Sequence, residues 1–105
     1  MSDTLQNLYE LVLSRKGADP KSSYVAKSLS KGRLHIAKKL GEEAVETALA
    51  AASGDTAHTV SESADMLFHL TVLWAEMGIT PDQVWAELKR REGVSGIEEK
   101  ASRKE

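Results

Sequence analysis

Three features of the sequence predict an all-α fold. Apolar residues recur at helical spacing along most of the chain, no segment alternates polar and apolar residues as a half-buried strand would, and 105 residues hold only two prolines. A chain of this length is one domain, 1–105, in which about five helices are expected.

The first helix is expected from about Asp3 to Arg15, with Leu5, Leu8 and Val12 on one stripe; Gly17 and then Asp19-Pro20 stop it. A short second helix spans about Ser23 to Ser30 and ends at Gly32. The third runs from Arg33 to about Ala52 and sets Leu34, Ala37, Gly41, Ala44, Val45, Ala48 and Ala52 on what reads as its inner face. Ser53-Gly54-Asp55 breaks it, and Asp55 is placed to cap a fourth helix that reaches about Met77 and stops at Gly78. After Asp65 that helix is apolar nearly all round, which calls for neighbours on every side, in a bundle centre or at a subunit interface. Thr80-Pro81-Asp82-Gln83 has the N-cap, first-turn proline and capping-box partner that open a last helix, to about Glu92, with Gly93 closing it. Residues 94–105 read as a polar C-terminal tail.

A protomer this small buries a limited core, so a helical bundle completed by homodimerisation is expected. The balance of 14 Lys+Arg against 16 Asp+Glu gives no nucleic-acid or membrane-surface footprint. The absence of cysteine excludes disulfides and thiolate zinc sites. Met-Ser-Asp-Thr leads into no apolar run, and the apolar stretch 66–75 is too short to cross a bilayer, so a soluble cytoplasmic protein is expected.

Chemistry concentrates in five acids. Glu42-Glu43-x-x-Glu46 is followed, after fifteen residues, by Glu62-x-x-Asp65. On helices, Glu43 and Glu46 lie roughly 60° apart, as do Glu62 and Asp65, so each set forms one acidic stripe. Such spacings are usually solvated surface, because glutamate favours helices. Here Ala44, Val45, Ala48 and Leu49, then Ala64, Met66, Leu67 and Phe68, surround the acids, and unpaired carboxylates on buried faces tend to mark sites. If the spacer folds the second helix back, the stripes face each other and need a cation between them. Oxygen-only ligands favour Mg²⁺, or Mn²⁺ as a substitute.

Other signals are weaker. Lys27, Lys31, Arg33, Lys38 and Lys39 precede the acids and could hold phosphates, and Gly32 at a helix start adds free N–H groups. Lys89, Arg90, Arg91, Lys100 and Arg103 gather near the end. His69, one turn after Asp65, could touch the acids but is read as a core histidine; His35 and His58 are read as surface. Trp74 and Trp85 are expected to fill core or interface. No Glu-x-x-His occurs, which argues against a ferritin-type di-iron bundle, and no P-loop is present.

The two acidic motifs resemble those of the all-α, MazG-like nucleoside triphosphate pyrophosphohydrolases. Lys38-Lys39-Leu40-Gly41, the segment from Ala64 to Leu70, and Ser95-Gly96-Ile97-Glu98-Glu99-Lys100-Ala101-Ser102-Arg103 resemble, more narrowly, the phosphoribosyl-ATP pyrophosphohydrolase family of histidine biosynthesis; Val94 is a conservative departure. The likeness extends from about Ser22 to Arg103. It implies a homodimer that hydrolyses the α–β phosphoanhydride of 1-(5-phosphoribosyl)-ATP to phosphoribosyl-AMP and pyrophosphate, the second step of L-histidine biosynthesis.

On that footing Glu43, Glu46, Glu62 and Asp65 are the expected Mg²⁺ ligands, with Glu42 as ligand or water-orienting base. The metal would neutralise charge on the phosphoryl oxygens and acidify a water for in-line attack. Lys27, Lys31, Arg33, Lys38 and Lys39 are the nearest cations for the substrate's additional 5′-phosphate. Two alternatives stay open: a housekeeping enzyme of the same fold acting on dCTP, dUTP or another triphosphate, and a non-enzymatic helical dimerisation module.

Overall fold

A computed structural model describes residues 3–103 as six helices: α1 (Asp3–Ser14), α2 (Tyr24–Ser30), α3 (Arg33–Ala52), α4 (Thr56–Met77), α5 (Pro81–Arg90) and α6 (Gly96–Arg103). The fold is all-α. No helix is long and apolar enough to cross a membrane among the described residues.

The two long helices make the frame. Ser53-Gly54-Asp55 reverses the chain between them, Gly54 taking φ 79°, and the Asp55 carboxylate accepts the His58 N–H at 3.0 Å to start α4. At the far end Gly78 adopts φ 74°, and the Ile79 N–H closes on the Trp74 carbonyl at 2.9 Å. A full capping box opens α5, the Gln83 N–H reaching Thr80 Oγ1 at 3.3 Å while Gln83 Oε1 accepts the Thr80 N–H at 2.8 Å.

The core lies at the end of this frame away from the Ser53–Asp55 turn. Tyr9 and Val12 of α1 and Val25 of α2 meet Ile36 of α3 and Val72, Trp74 and Ala75 of α4, with Leu5 and Leu8 packed against them. The two tryptophans cross edge to face, their ring centroids 6.2 Å apart.

Two sequence expectations change. The face of α3 that meets α4 is not the Leu34 row. Ile36 and Ala50 are buried, with Leu40, Glu43 and Thr47 half-buried between them. Glu43 and Thr47 fall within about 20° of Ile36, whereas Leu34, Gly41, Val45 and Ala48 lie 120–180° away from it by roughly 100° steps. Leu34 is 85% exposed and Val45 59%. α3 thus has two apolar stripes, and periodicity alone does not say which one its own chain covers. On α4, Leu67 is exposed beyond Asp65, so this chain alone does not enclose the helix.

The chain is correspondingly open. Its accessible surface is 7127 Å², against about 5800 Å² for a compact chain of this mass. Its radius of gyration is 15.7 Å, against about 13 Å for a compact one.

The second change concerns the tail, of which 104–105 lie outside the described residues. Gly96–Arg103 is helical. Ser95 Oγ accepts the Glu98 N–H at 3.0 Å, and the Glu99 side chain is buried against Arg90 Nη2 at 2.8 Å, with Arg103 and Arg91 at 3.4 and 3.7 Å. Arg90 and Arg91 also hold Glu87, whose carboxyl their hydrogen bonds and charge lower to about 2. A single carboxylate gathers three guanidinium groups, and that ordering makes the tail a sixth helix. Glu99→Ala should therefore cost α6 about 1–2 kcal/mol, below the full value of a buried pair because the guanidinium groups are partly solvated. Amide hydrogen exchange checks it: residues 96–103 should exchange roughly tenfold faster, with α3 and α4 unaffected.

Candidate active site

Because Glu43 shares the Ile36 face of α3, it points at α4. There Glu62 and Asp65, three residues apart, present carboxylates to the same gap. One oxygen each from Glu43, Glu62 and Asp65 lies within 4.8 Å of the other two. Glu46, exposed on the next turn of α3, is not one of these three but lies near enough to Glu62 to raise its pKa. Glu42 turns off the packed face; it is exposed and pairs with Lys39 Nζ at 3.4 Å.

The arrangement stresses these groups electrostatically. Hydrogen bonding to Glu46, partial burial, hydrogen bonding to Glu43 and the charges of both push the Glu62 carboxyl up to about 7. Glu43 Oε2 and Glu62 Oε2 are buried without a hydrogen-bond partner. So is Nδ1 of His69, a residue 5% exposed whose Nε2 stops 4.0 Å from Glu43 Oε1, beyond hydrogen-bond range. Burial lowers the His69 pKa more than Glu43 raises it, so the imidazole is neutral and cancels none of the acidic charge. The buried, unpartnered oxygens of Glu43 and Glu62, with the exposed Asp65 carboxylate at the same gap, are donors that suit a hard divalent cation, and the exposed Glu46 adjoins them.

Of the five cations expected at phosphates, three come together. Lys27, Lys31 and Lys39 line a cavity of about 160 Å³ with Tyr24, Ser28 and His35. Arg33 instead donates to Glu76 at 2.6 Å, and Lys38 is exposed outside that lining. Gly32 caps α3 at φ 92° with no side-chain hydrogen bond.

The phosphoribosyl-ATP pyrophosphohydrolase family model matches residues 5–92. The chain belongs to this family. Similar proteins named phosphoribosyl-ATP pyrophosphatase include one from Paramagnetospirillum magneticum, 57% identical over 97% of this chain and 94% of its own. Others are from Azospirillum brasilense, 56% identical over 95% and 90%, and Parvibaculum lavamentivorans, 57% over 96% and 93%. The protein is a hydrolase, which removes the non-enzymatic alternative.

Within this family member the histidines were the residues least legible in the sequence. His69 is a core residue, as read, and also borders the acids. His58 is exposed, as read, yet its Nε2 lies 3.5 Å from Glu62 Oε1. His35, read as surface, is half-buried in the cationic cavity. Four-residue spacing was the available signal: His58 precedes Glu62, His69 follows Asp65 and His35 precedes Lys39 by one turn.

Glu62 gives the metal-free protein a defined pH dependence. The folded state keeps a proton on Glu62 up to about pH 7, whereas an unfolded glutamate releases it near 4.5. This contribution to stability is therefore complete below 4.5 and is lost as pH rises through 7. In chelator, the melting temperature should fall between pH 5 and pH 8, and Glu62→Gln should flatten that slope; an unchanged slope in the variant would show that Glu62 is not the titrating group.

Proposed function

We propose that this protein hydrolyses the α–β phosphoanhydride of 1-(5-phosphoribosyl)-ATP, giving phosphoribosyl-AMP and pyrophosphate in the second step of L-histidine biosynthesis. The observation that carries the reading is the convergence of Glu43, Glu62 and Asp65 within 4.8 Å beside a cavity of lysines. The names of the relatives favour this substrate over simple triphosphates.

Glu43, Glu46, Glu62 and Asp65 would hold Mg²⁺, with Mn²⁺ as substitute. When bound, the cation neutralises charge that develops on the phosphoryl oxygens and the departing pyrophosphate. The chain's own groups do the rest. Water attacks one phosphorus of the α–β bridge, and the bond from that phosphorus to the bridging oxygen breaks. The oxygen leaves on the other phosphoryl group, and the proton released by the water passes to a carboxylate of the cluster. Glu42, exposed and paired with Lys39, would serve as a further ligand or as the base that orients the attacking water.

The homodimer is part of the same reading. The outer stripe of α3, with Leu34, Val45 and Leu49 exposed, has the composition of a packed surface, and the protomer's excess area is what a partner would cover. Such a second copy would lie over a helix that carries three of the five acids. Val45→Lys should yield a monomer by sedimentation at micromolar concentration; a dimer that persists would place the interface elsewhere.

For the activity, pyrophosphate release from phosphoribosyl-ATP with Mg²⁺ should vanish in chelator. Glu46→Gln and Asp65→Asn should each reduce it about a hundredfold or more while retaining helical circular dichroism. In metal-free buffer they should melt no lower than wild type, because each removes a repelling charge. Cleavage of dCTP or dUTP with phosphoribosyl-ATP untouched would replace the substrate assigned here.

A further inference from the structure

The acids account for the reacting anhydride, but not for what fills the adjoining cavity. Its lining is one-sided: Lys27, Lys31, Lys39 and His35, the hydroxyls of Tyr24 and Ser28, and no carboxylate. Ser28 is the informative member. It is 3% exposed, and its Oγ has no hydrogen-bond partner. Helical serines ordinarily return the hydroxyl to a carbonyl of the preceding turn. Ser30, two residues on, does so, donating to Lys27 O at 2.7 Å. Ser28 keeps a buried donor unused, in a cavity otherwise walled by cations.

The position is equally specific. His35, Lys39 and Glu43 follow one another in four-residue steps, each about 6 Å along the α3 axis. An anion seated at His35 and Lys39 therefore lies one to two helical turns from the acids. The volume of about 160 Å³ equals roughly five waters, enough for a phosphoryl group and its ester arm.

We propose that this cavity is the subsite for a phosphate monoester, the terminal 5′-phosphate of the substrate's second ribose. Ser28 Oγ–H is its buried donor, Lys27, Lys31 and Lys39 supply charge, and His35 offers a further donor. Ser28 and His35 thereby become specificity-determining residues, and Arg33 and Lys38 drop out of the phosphate set. The identity of the monoester rests on the substrate reading above; the subsite itself does not. Selectivity follows from the penalty of leaving it empty: a nucleotide without the monoester leaves clustered cations and a buried hydroxyl unmatched, and a site built around polar contacts rejects such an analogue strongly.

Two measurements separate subsite from substrate. In the first, ribose 5-phosphate is titrated into the metal-free protein and followed by NMR. Shifts should concentrate at Ser28, Lys31 and His35, and Ser28→Ala and Lys31→Gln should each weaken binding roughly tenfold, as expected for loss of one hydrogen bond or charge to a phosphate. Absence of shifts there, or full affinity in both variants, overturns the proposal. Lys31 is exposed, so its variant tests the idea even if Ser28→Ala fails to fold. In the second, kcat/KM is compared for phosphoribosyl-ATP and for the same molecule without its terminal phosphate. Ser28→Ala should lower that ratio about tenfold, mainly through KM; an unaltered ratio overturns the assignment of the monoester. If ribose 5-phosphate binds as described while the wild type leaves phosphoribosyl-ATP intact, the substrate reading falls and the subsite stands.

Discussion

The arrangement of this molecule depends on carboxylates forced together between α3 and α4. Neither helix could hold them alone, since an acidic stripe on an isolated helix simply faces water. The three-residue turn at Ser53–Asp55 fixes how the helices lie, and a shift of one residue would rotate Glu62 by about 100° away from Glu43. The result is unfavourable locally: Glu43 and Glu62 each bury an oxygen without a partner, and Glu62 holds a proton that an ordinary glutamate would release. The cluster around Ile36, Val12 and Val72, two turns along α3, supplies the apolar packing that tolerates this. Stability and chemistry thus occupy opposite stretches of the same helix pair.

That division explains what the sequence disclosed and what it did not. Element types and most boundaries were legible because caps and breakers are local: Thr80-Pro81-Asp82-Gln83, Asp55 and Gly78 each do in the structure what their residue types require. The acids were legible as a group because spacing alone puts Glu43 with Glu46 and Glu62 with Asp65. The face of α3 was misassigned for a reason that no local rule corrects. A row of Leu34, Val45 and small residues looks like the side that meets the fold, whereas the real contact runs through Ile36, Leu40, Glu43 and Thr47, a stripe disguised by its own glutamate. An acid at the centre of a packed face lowers the apparent hydrophobicity of the surface that matters most.

The tail and the histidines were missed differently. Ser95-x-x-Glu98 has the spacing of a capping box, a signal that was present and unused, and the Ser95 side chain does cap α6. The clamp on Glu99 was not legible, because Arg90 and Arg91 come from another helix and only the fold shows that three guanidinium groups share one carboxylate. For His69 the error lay in treating core and site as alternatives. A helix that buries one end of its inner face and presents acids on the other necessarily has a residue at the boundary, and His69 is that residue, buried against Phe68 and Tyr24 and facing Glu43.

The boundary between acids and cations is as narrow. Lys39 belongs to the cationic cavity and yet pairs with Glu42, whose hydrogen bond and charge raise its pKa and so keep it charged. Fields of opposite sign therefore adjoin within one turn of α3. Lysines so near the carboxylates disfavour a divalent cation there, and the carboxylates disfavour an anion in the cavity beside them. A phosphate at the lysines offsets the first repulsion, and a cation at the acids offsets the second. By linkage each must favour the other by the same factor. A ligand bearing phosphates at both places is held by a charge pattern that neither inorganic phosphate nor a bare cation can match, and this follows from placing His35, Lys39 and Glu43 in a single line on one helix.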